Sequence, residues 1–331
     1  MATSLNILVV GGAGYIGSHM VKNLGKKNIN VTILDDLSSG YRDAVSMGEF
    51  IQGDCGDPRL LDQILSKGYD AVMHFASSIQ VGESILTPDK YYRNNFVNTM
   101  VLLDAMRRKN INHFIFSSSA ATYGEPKYCP IDERHPQSPI NPYGRTKLMV
   151  EQLLLDYEKA FGMKSVCLRY FNAAGADPEC ELGERHDPET HIIPLVLQVA
   201  SGRRQSFSLF GIDYKTPDGT CIRDYIHVED ICSAHWLGLN SLIDGANSQV
   251  YNLGNEKGYS IRQVINAAEH TTGRKIPIIN FPAREGDPAV LIADSSLIRM
   301  KLGWQPKFQD LETIIDHAWK WEIKLKNLKN S

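Results

Sequence analysis

The chain has 331 residues, of which 43 % are hydrophobic and 22 % are charged, and its formal net charge is -3 at pH 7. This composition is typical of a globular protein, and the near-neutral charge argues against a nucleic-acid partner. The six cysteines form no CxxC pair, the N-terminus has no signal-peptide pattern, and no run of 18 apolar residues could span a bilayer. We therefore expect a cytoplasmic protein with one large unit and one smaller unit.

The first half of the chain alternates short apolar segments with segments of helical period. Strands are predicted for NILVV, NVTILD, AVMHFA and HFIFSSS, and helices for GSHMVKNLGKK and NNFVNTMVLLDAMRRKN. Such apolar strands are buried on both faces, which predicts a parallel sheet between two layers of helices. SVCLRYF and QVYNLG are expected to extend this sheet, and later helical patterns form a second domain. The predicted fold class is α/β, a Rossmann-type doubly wound parallel sheet with a smaller mixed α/β C-terminal domain.

A glycine-rich turn, GGAGYIGSH, follows the first predicted strand and opens the first helix, with Gly11, Gly14 and Gly17 spaced as GxxGxxG. Glycines at a strand-to-helix turn let the backbone approach a pyrophosphate, whose charge the helix N-terminus holds. An isolated glycine triplet can equally mark a turn that binds nothing. Here Asp35 ends the second strand about twenty residues on, where a carboxylate accepts hydrogen bonds from ribose hydroxyls. Asp36 beside it would repel a 2′-phosphate, which favours NAD over NADP.

The segment NPYGRTK places Tyr143 and Lys147 four positions apart, so that a helix beginning near Pro142 would bring them onto one face. Ser119 ends a predicted strand at the carboxyl edge of the sheet, where open α/β folds bind ligands, and is expected to face Tyr143. A tyrosine that acts as a base near pH 7 must lower its pKa by roughly 3 units, or about 4 kcal/mol. A lysine ammonium at about 5 Å would supply roughly 3 kcal/mol, and an oxidised nicotinamide ring would add a second positive charge.

The ordered motifs along nearly the whole chain resemble the extended short-chain dehydrogenase/reductase family, and within it the epimerases of UDP-sugars. They are GGAGYIGSH, HFAS, VGES, SSSA, NPYGRTK, LRYFNAAGA, DGTCIRDYIHVED, YNLG and REGDP. The resemblance implies a tightly held NAD that oxidises a sugar nucleotide and returns the hydride to the opposite face, interconverting UDP-galactose and UDP-glucose. It implies an NAD-binding domain over residues 1–172, with return segments at about 225–255, and a mainly UDP-sugar-binding domain over 173–331.

The resemblance also assigns roles to single residues. Tyr143 is the expected base for the proton of the sugar's 4-hydroxyl, Lys147 lowers its pKa and holds the nicotinamide ribose, and Ser119 helps to shuttle the proton. Asp54 is placed at the adenine, although an aspartate that closes a strand also suits a simple turn. The implied cofactor contacts are Gly11, Gly14, Tyr15, Ile16, Gly17, Asp35, Asp36, Asp54, Cys55, Phe75, Ala76, Asn95, Tyr143, Lys147 and Tyr170.

On the substrate side, the resemblance implies two diphosphate-binding arginines, Arg223 and Arg284, whose charge and fork geometry suit phosphate oxygens. Asp287 corresponds to the contact with the uridine ribose. The implied substrate contacts are Ser119, Asn172, His191, Ile192, Arg223, Arg284, Asp287 and Leu291. The chain departs from many family members at SSIQ, where a lysine is frequent, and at His191, where others have asparagine. Leu291 stands where the family varies between tyrosine and smaller residues, so UDP-N-acetyl sugars are expected to be poor substrates.

Alternative functions remain at this stage. A dehydratase of the same fold would carry an Asp-Glu pair after the strand-end hydroxyl residue, and this chain has Ala120 and Ala121 there. Epimerases of UDP-N-acetylhexosamines, pentoses or uronates, and a non-catalytic NAD-sensing protein, stay open. No metal is expected, because GERHDPETH has no repeat of ligand spacing on a helix and predicts a loop. The family resemblance suggests a homodimer packed through helices around residues 91–108 and 145–160.

Overall fold

The computed structural model describes residues 5–284 and 286–330. Residues 1–4, Glu285 and Ser331, which the predicted domains include, lie outside this range. The strands are β1 (Asn6–Val10), β2 (Asn30–Asp35), β3 (Glu49–Gln52), β4 (Ala71–His74), β5 (His113–Ser119), β6 (Lys164–Tyr170), β7 (Asn172–Ala174), β8 (Phe207–Phe210), β9 (Ile222–His227), β10 (Gln249–Leu253), β11 (Gly258–Ser260), β12 (Ile278–Phe281) and β13 (Val290–Leu291).

Helices connect and cover these strands. They are α1 (Tyr15–Lys26), α2 (Pro58–Leu65), α3 (Val81–Leu86), α4 (Pro88–Tyr91), α5 (Asn98–Arg108), α6 (Pro142–Phe161), α7 (Ile192–Ser201), α8 (Val228–Ile243), α9 (Ile261–Thr272), α10 (Ser296–Leu302) and α11 (Leu311–Asn330). Among the described helices, none has the length and apolar character needed to cross a membrane.

The central sheet contains seven parallel strands in the order β10-β6-β5-β4-β1-β2-β3. Alternate residues of a strand point to opposite faces, and β1 is buried on both. Ile7 and Val9 pack beneath α1 and α8, whereas Leu8 and Val10 pack beneath α2, α5 and α6. The prediction of a doubly wound parallel sheet is therefore confirmed, and β6 and β10 extend the sheet as expected.

A smaller unit follows β6 along the chain. Strand β9 pairs with β7, β11 and β13, and β8 pairs with β12. Helices α7, α9 and α11 bury an apolar cluster of their own that includes Val196, Val264 and Ile314. The residue boundary between the two units stays a prediction, because β10 belongs to the central sheet although it lies late in the chain.

The predicted helix over NNFVNTMVLLDAMRRKN is only partly a regular α-helix. Residues Tyr92–Val97 form a π-helical segment that leads directly into α5. Within it, Asn95 is buried and accepts a hydrogen bond from the Ser78 backbone N–H at 2.8 Å, while its amide donates to the Ser78 carbonyl at 3.0 Å. The wider turn thus lets a helix side chain fasten the loop that follows β4, and such π-helical turns are frequent beside functional sites.

Candidate active site

Close contacts within the protein require glycine at two of the three motif positions. Gly11 has a φ of +80°, and a Cβ there would lie 2.3 Å from the Ala76 nitrogen. A Cβ on Gly17 would lie 2.0 Å from the Gly11 oxygen. A Cβ on Gly14 would meet only that same oxygen, at 3.5 Å, which is an ordinary contact. The protein itself therefore does not require glycine at position 14. Gly14 lines a cavity, and the absence of a side chain there leaves room for a pyrophosphate to approach the backbone.

The N-terminus of α1 fits an anionic group. Gly14 is its N-cap residue and provides no side-chain cap, and the first turn contains no acidic residue. The free N–H groups and the helix dipole therefore suit a pyrophosphate. Asp35 lies at the end of β2, where its oxygens accept from the backbone N–H groups of Ala13 and Leu37, both at 2.9 Å. Burial raises the pKa of Asp35. These residues fit the pyrophosphate and ribose of NAD.

One cavity of about 750 Å³ lies along the carboxyl edge of the central sheet and extends into the smaller unit. Most of the residues that the sequence singled out line it together. They are Gly11, Gly14, Tyr15, Ile16, Gly17, Asp35, Asp36, Asp54, Cys55, Phe75, Ala76, Ser119, Tyr143, Lys147, Tyr170, Asn172, His191, Asp287 and Leu291. Its volume is in the range of small-molecule sites.

Four predicted site residues do not line this cavity. Asn95 is buried behind it and holds Ser78, which does line it. Ile192 begins α7. Arg223 is one layer back, paired with the carboxylate of Asp287 and donating to the Ile222 carbonyl at 2.9 Å. Arg284 is exposed, with its guanidinium 4.0 Å from the centre of the Phe210 ring.

The Tyr143 and Lys147 pair stands on the first turns of α6, as the spacing predicts. Asn141 caps this helix by accepting from the Gly144 N–H at 2.8 Å, and Pro142 occupies its first turn. The Lys147 Nζ lies 5.8 Å from the centre of the Tyr143 ring and donates to the Ser117 carbonyl at 2.8 Å. Because Ser117 belongs to β5, this bond fixes the lysine against the sheet.

Burial acts on the pKa values of both members of the pair. Burial raises the pKa of Tyr143, and a hydrogen bond with Ser119 opposes that rise. Burial also lowers the pKa of Lys147 to about 7, with the nearby Glu151 carboxylate acting in the opposite direction. The expectation that Lys147 lowers the pKa of Tyr143 stays a prediction, because it concerns the site with NAD bound, whereas burial alone disfavours the charged form of both side chains. A positive nicotinamide ring would add to the stabilisation of a phenolate.

Sequence reasoning missed a buried polar network behind the pair. Glu151, one helical turn beyond Lys147, accepts from the Ser118 hydroxyl at 2.5 Å and from the Arg169 Nε at 2.9 Å. Arg169 also donates to the Tyr123 hydroxyl at 2.8 Å, which in turn donates to Asn252 at 2.6 Å. This network joins α6 to β5, β6 and β10. The spacing of Lys147 and Glu151 was the available signal, since i and i+4 share a helix face.

The segment GERHDPETH forms a loop, as expected, but the loop gathers four ionisable side chains. The His191 Nδ1 lies 2.6 Å from a Glu184 oxygen and 3.4 Å from a Glu189 oxygen, and the His186 Nδ1 lies 3.1 Å and 3.7 Å from oxygens of the same two residues. Desolvation lowers the pKa of both histidines, but the two carboxylates outweigh it and raise the pKa of His186 to about 9 and that of His191, whose side chain is 44 % exposed, to about 10. Spacing along a helix does not reveal this cluster, because the conformation of the loop brings the four side chains together.

Comparisons with known proteins agree with this geometry. The model of the NAD dependent epimerase/dehydratase family matches residues 7–254. The UDP-glucose 4-epimerase of Halalkalibacterium halodurans is 49 % identical over 316 residues, 95 % of each chain. The structure of UDP-glucose 4-epimerase from Brucella ovis in complex with NAD has a TM-score of 0.93 at 48 % identity and covers 96 % of this chain and 98 % of that one. The UDP-Glc/GlcNAc 4-epimerase of Campylobacter jejuni has a TM-score of 0.85 at 43 % identity, covering 97 % and 100 %.

The chain belongs to the NAD dependent epimerase/dehydratase family. The resemblance to extended short-chain dehydrogenases/reductases is confirmed, and so is the prediction of an isomerase that uses NAD. Relatives that are 47–49 % identical to it over nearly its full length are UDP-glucose 4-epimerases.

Proposed function

We propose that the chain is a 4-epimerase that interconverts UDP-galactose and UDP-glucose through a transient 4-keto sugar. The observation that carries this proposal is the convergence of Tyr143, Ser119 and Lys147 on the cavity that also contains the glycine turn and Asp35. The high similarity to UDP-glucose 4-epimerases over the full length supports the same substrate pair.

The side chains of this cavity divide the chemistry between them. Tyr143 removes the proton of the 4-hydroxyl and later returns it, which is general base and then general acid catalysis. Ser119 hydrogen-bonds the same phenol and aligns it with the hydroxyl. Lys147, held by the Ser117 carbonyl, supplies positive charge when a phenolate forms. NAD, held by the glycine turn and Asp35, would supply the acceptor for the hydride of carbon 4 and the donor for its return to the other face of the sugar.

The 4-keto sugar must turn over inside the cavity, so the nucleotide has to be held firmly while the sugar is held loosely. We assign the firm contacts to Asn172, Asp287, Arg223 and Arg284. Asp287 lines the cavity with Arg223 directly behind it, so a diphosphate that displaces this carboxylate would find a buried, preorganised guanidinium. Asn172 is anchored by its donation to the Asp224 carbonyl at 2.8 Å.

The direct test is proton NMR of UDP-galactose with the purified chain and no added reductant, with Tyr143→Phe as the matched variant. Convergence on a fixed mixture of UDP-glucose and UDP-galactose, slowed by about 10²-fold or more in the variant, is the expected result. An unchanged anomeric spectrum with an NAD-bound, folded protein would contradict the proposal and favour another UDP-sugar or an NAD-sensing role.

The range of sugars is set near Leu291. This side chain and Phe171 pack against the buried cluster of Ala120, Tyr123 and Ile131, at the substrate end of the cavity. Leucine leaves less room than a small residue would, so we expect UDP-N-acetyl sugars to be poor substrates. Equal turnover of UDP-galactose and UDP-N-acetylgalactosamine would contradict this assignment, and the dual activity in the name of the Campylobacter jejuni neighbour makes the comparison informative.

We also propose a cytoplasmic homodimer packed through the π-helical segment, α5 and α6. Three large apolar side chains are exposed there: Val97 at 39 %, Leu155 at 51 % and Phe161 at 49 %. The elements that bear them contact one another, and large exposed apolar side chains on neighbouring helices are typical of subunit interfaces. Light scattering coupled to size-exclusion chromatography should give twice the mass of one chain, and Leu155→Glu should shift it towards the monomer.

A further inference from the structure

The loop between β7 and α7 contains two histidines and two glutamates whose ligand atoms all lie within 4.8 Å of one another. They are Glu184, His186, Glu189 and His191, and the loop that bears them forms one wall of the cavity. The mechanism proposed above uses none of Glu184, His186 or Glu189. The cluster therefore needs a separate physical explanation.

The distances within the cluster match a metal coordination shell. Zinc binds imidazole nitrogen and carboxylate oxygen at about 2.0–2.2 Å, so neighbouring ligand atoms of a tetrahedral site are about 3.4 Å apart. Here the nitrogen–oxygen separations are 2.6, 3.1, 3.4 and 3.7 Å. Adjustments of less than about 1 Å, within the freedom of these side chains, would place all four ligand atoms around one centre.

Unsatisfied buried atoms point to the same centre. Oε1 of Glu184, a residue only 7 % exposed, has no hydrogen-bond partner of good geometry among the described residues. Nδ1 of His186 is likewise buried without one. These two atoms lie 3.1 Å apart in an ion-pair contact that lacks hydrogen-bond geometry, so charge attraction holds the contact while the hydrogen-bonding capacity of both atoms stays unused. A cation between them would satisfy both.

The geometry points to a binding site for a divalent transition-metal ion, of which Zn²⁺ is the best match, formed by Glu184, His186, Glu189 and His191. Two imidazoles and two carboxylates suit Zn²⁺, whereas Mg²⁺ requires an octahedral shell of oxygens. Two carboxylates also neutralise the charge of the ion. Four protein ligands close the shell, so the site is structural: it ties the start of the loop to its end and stiffens this wall of the cavity.

The surroundings of the loop agree with a structural role. The Trp321 indole donates to the Glu184 carbonyl at 2.9 Å, and Arg185 forms an ion pair with Asp43. These contacts hold the backbone of the loop from the outside, and the ion would hold its side chains from the inside. The second acidic group of the described chain, Asp177, Glu179 and Glu181, differs because the Lys22 ammonium already lies 2.7–2.8 Å from all three carboxylates.

The test uses the full chain without an affinity tag, stripped with EDTA and titrated with Zn²⁺ alone by calorimetry, and with Co²⁺ as a visible-absorption probe. We expect about one ion per chain, a dissociation constant below about 1 µM, and the intense cobalt bands of a tetrahedral site. His186→Gln and Glu189→Gln should each weaken Zn²⁺ binding at least about tenfold. Glu181→Gln, the same substitution in the group that Lys22 fills, should leave binding unchanged.

Several results would overturn the site. The first is the absence of stoichiometric Zn²⁺ binding to the unsubstituted chain. The second is an unchanged Zn²⁺ affinity in both His186→Gln and Glu189→Gln, and the third is a loss of Zn²⁺ affinity in Glu181→Gln as large as in those two variants. The first result would mean that the cluster holds only histidine–carboxylate ion pairs. Far-UV circular dichroism checks that the variants fold, and the zinc and cobalt titrations of the unsubstituted chain decide the question even where a variant does not. Because the readout is binding, the outcome is independent of the epimerase assay.

Discussion

Replacing Lys147 with methionine is expected to stabilise the folded chain while it removes most of the activity. The ammonium is buried, and burial lowers its pKa from 10.5 to about 7. At about 1.36 kcal/mol per unit, the folded state loses about 5 kcal/mol when it keeps this lysine protonated at low pH. Methionine fills a similar volume without charge and forfeits the bond to the Ser117 carbonyl, about 1 kcal/mol, together with the contact of the ammonium with the Phe116 ring.

The stabilisation of the folded chain by Lys147→Met should decrease as the pH rises. The pKa of Lys147 is lower in the folded chain than in the unfolded chain, so between about pH 7 and pH 10.5 the unfolded state binds more protons. Lys147 therefore destabilises the folded chain by its full amount below about pH 7, and this destabilisation disappears as the pH rises towards 10.5. The difference in unfolding free energy between variant and unsubstituted chain should shrink by about 3 kcal/mol from pH 6 to pH 9.

Urea unfolding at pH 6 and pH 9 measures this difference, and the NMR assay measures activity. Lys159→Met is the control, because Lys159 is an exposed residue of the same helix. Turnover of Lys147→Met should fall by about 10²-fold or more. A variant that is less stable than the unsubstituted chain at pH 6, or a difference that does not change with pH, would refute the reasoning.

Two further substitutions test how the site is built. Gly14→Ala should leave the unfolding free energy within about 0.5 kcal/mol of the unsubstituted chain but weaken NAD binding at least tenfold. Gly17→Ala should cost about 1–3 kcal/mol of stability, because its Cβ would lie 2.0 Å from the Gly11 oxygen. A loss of stability in Gly14→Ala as large as its loss of NAD binding free energy would contradict this distinction. Arg169→Met should destabilise by about 3–5 kcal/mol in thermal or urea unfolding, because it leaves the Glu151 carboxylate buried and unpaired, and a loss below 1 kcal/mol would show that the network is dispensable.

Prediction from the sequence succeeded where the signal is local. The apolar strands, the glycine turn and the NPYGRTK helix start depend on neighbouring residues, and all of them appear at the expected places. The π-helical segment at Tyr92–Val97 was missed because the hydrogen bonds of Asn95 to Ser78, which accompany it, join residues 17 positions apart. The cluster in GERHDPETH was missed because side chains spaced two or three residues apart converge only through a particular loop conformation.

The lowered pKa of Lys147 also depends on tertiary contacts that the sequence does not show. Spacing alone suggests a charged lysine beside a tyrosine, but the ammonium lies 4.9 Å from the centre of the Phe116 ring and is 3 % exposed. Its position depends on α6 being held against β5, and Glu151 and Arg169 provide that hold one turn further along the helix. The Tyr-x-x-x-Lys spacing therefore identifies the predicted reactive pair, whereas the ion pair of Glu151 and Arg169 holds it against β5, where burial lowers the pKa of Lys147. For this reason a change at Arg169, which does not line the cavity, should alter the geometry of Lys147 as well as stability.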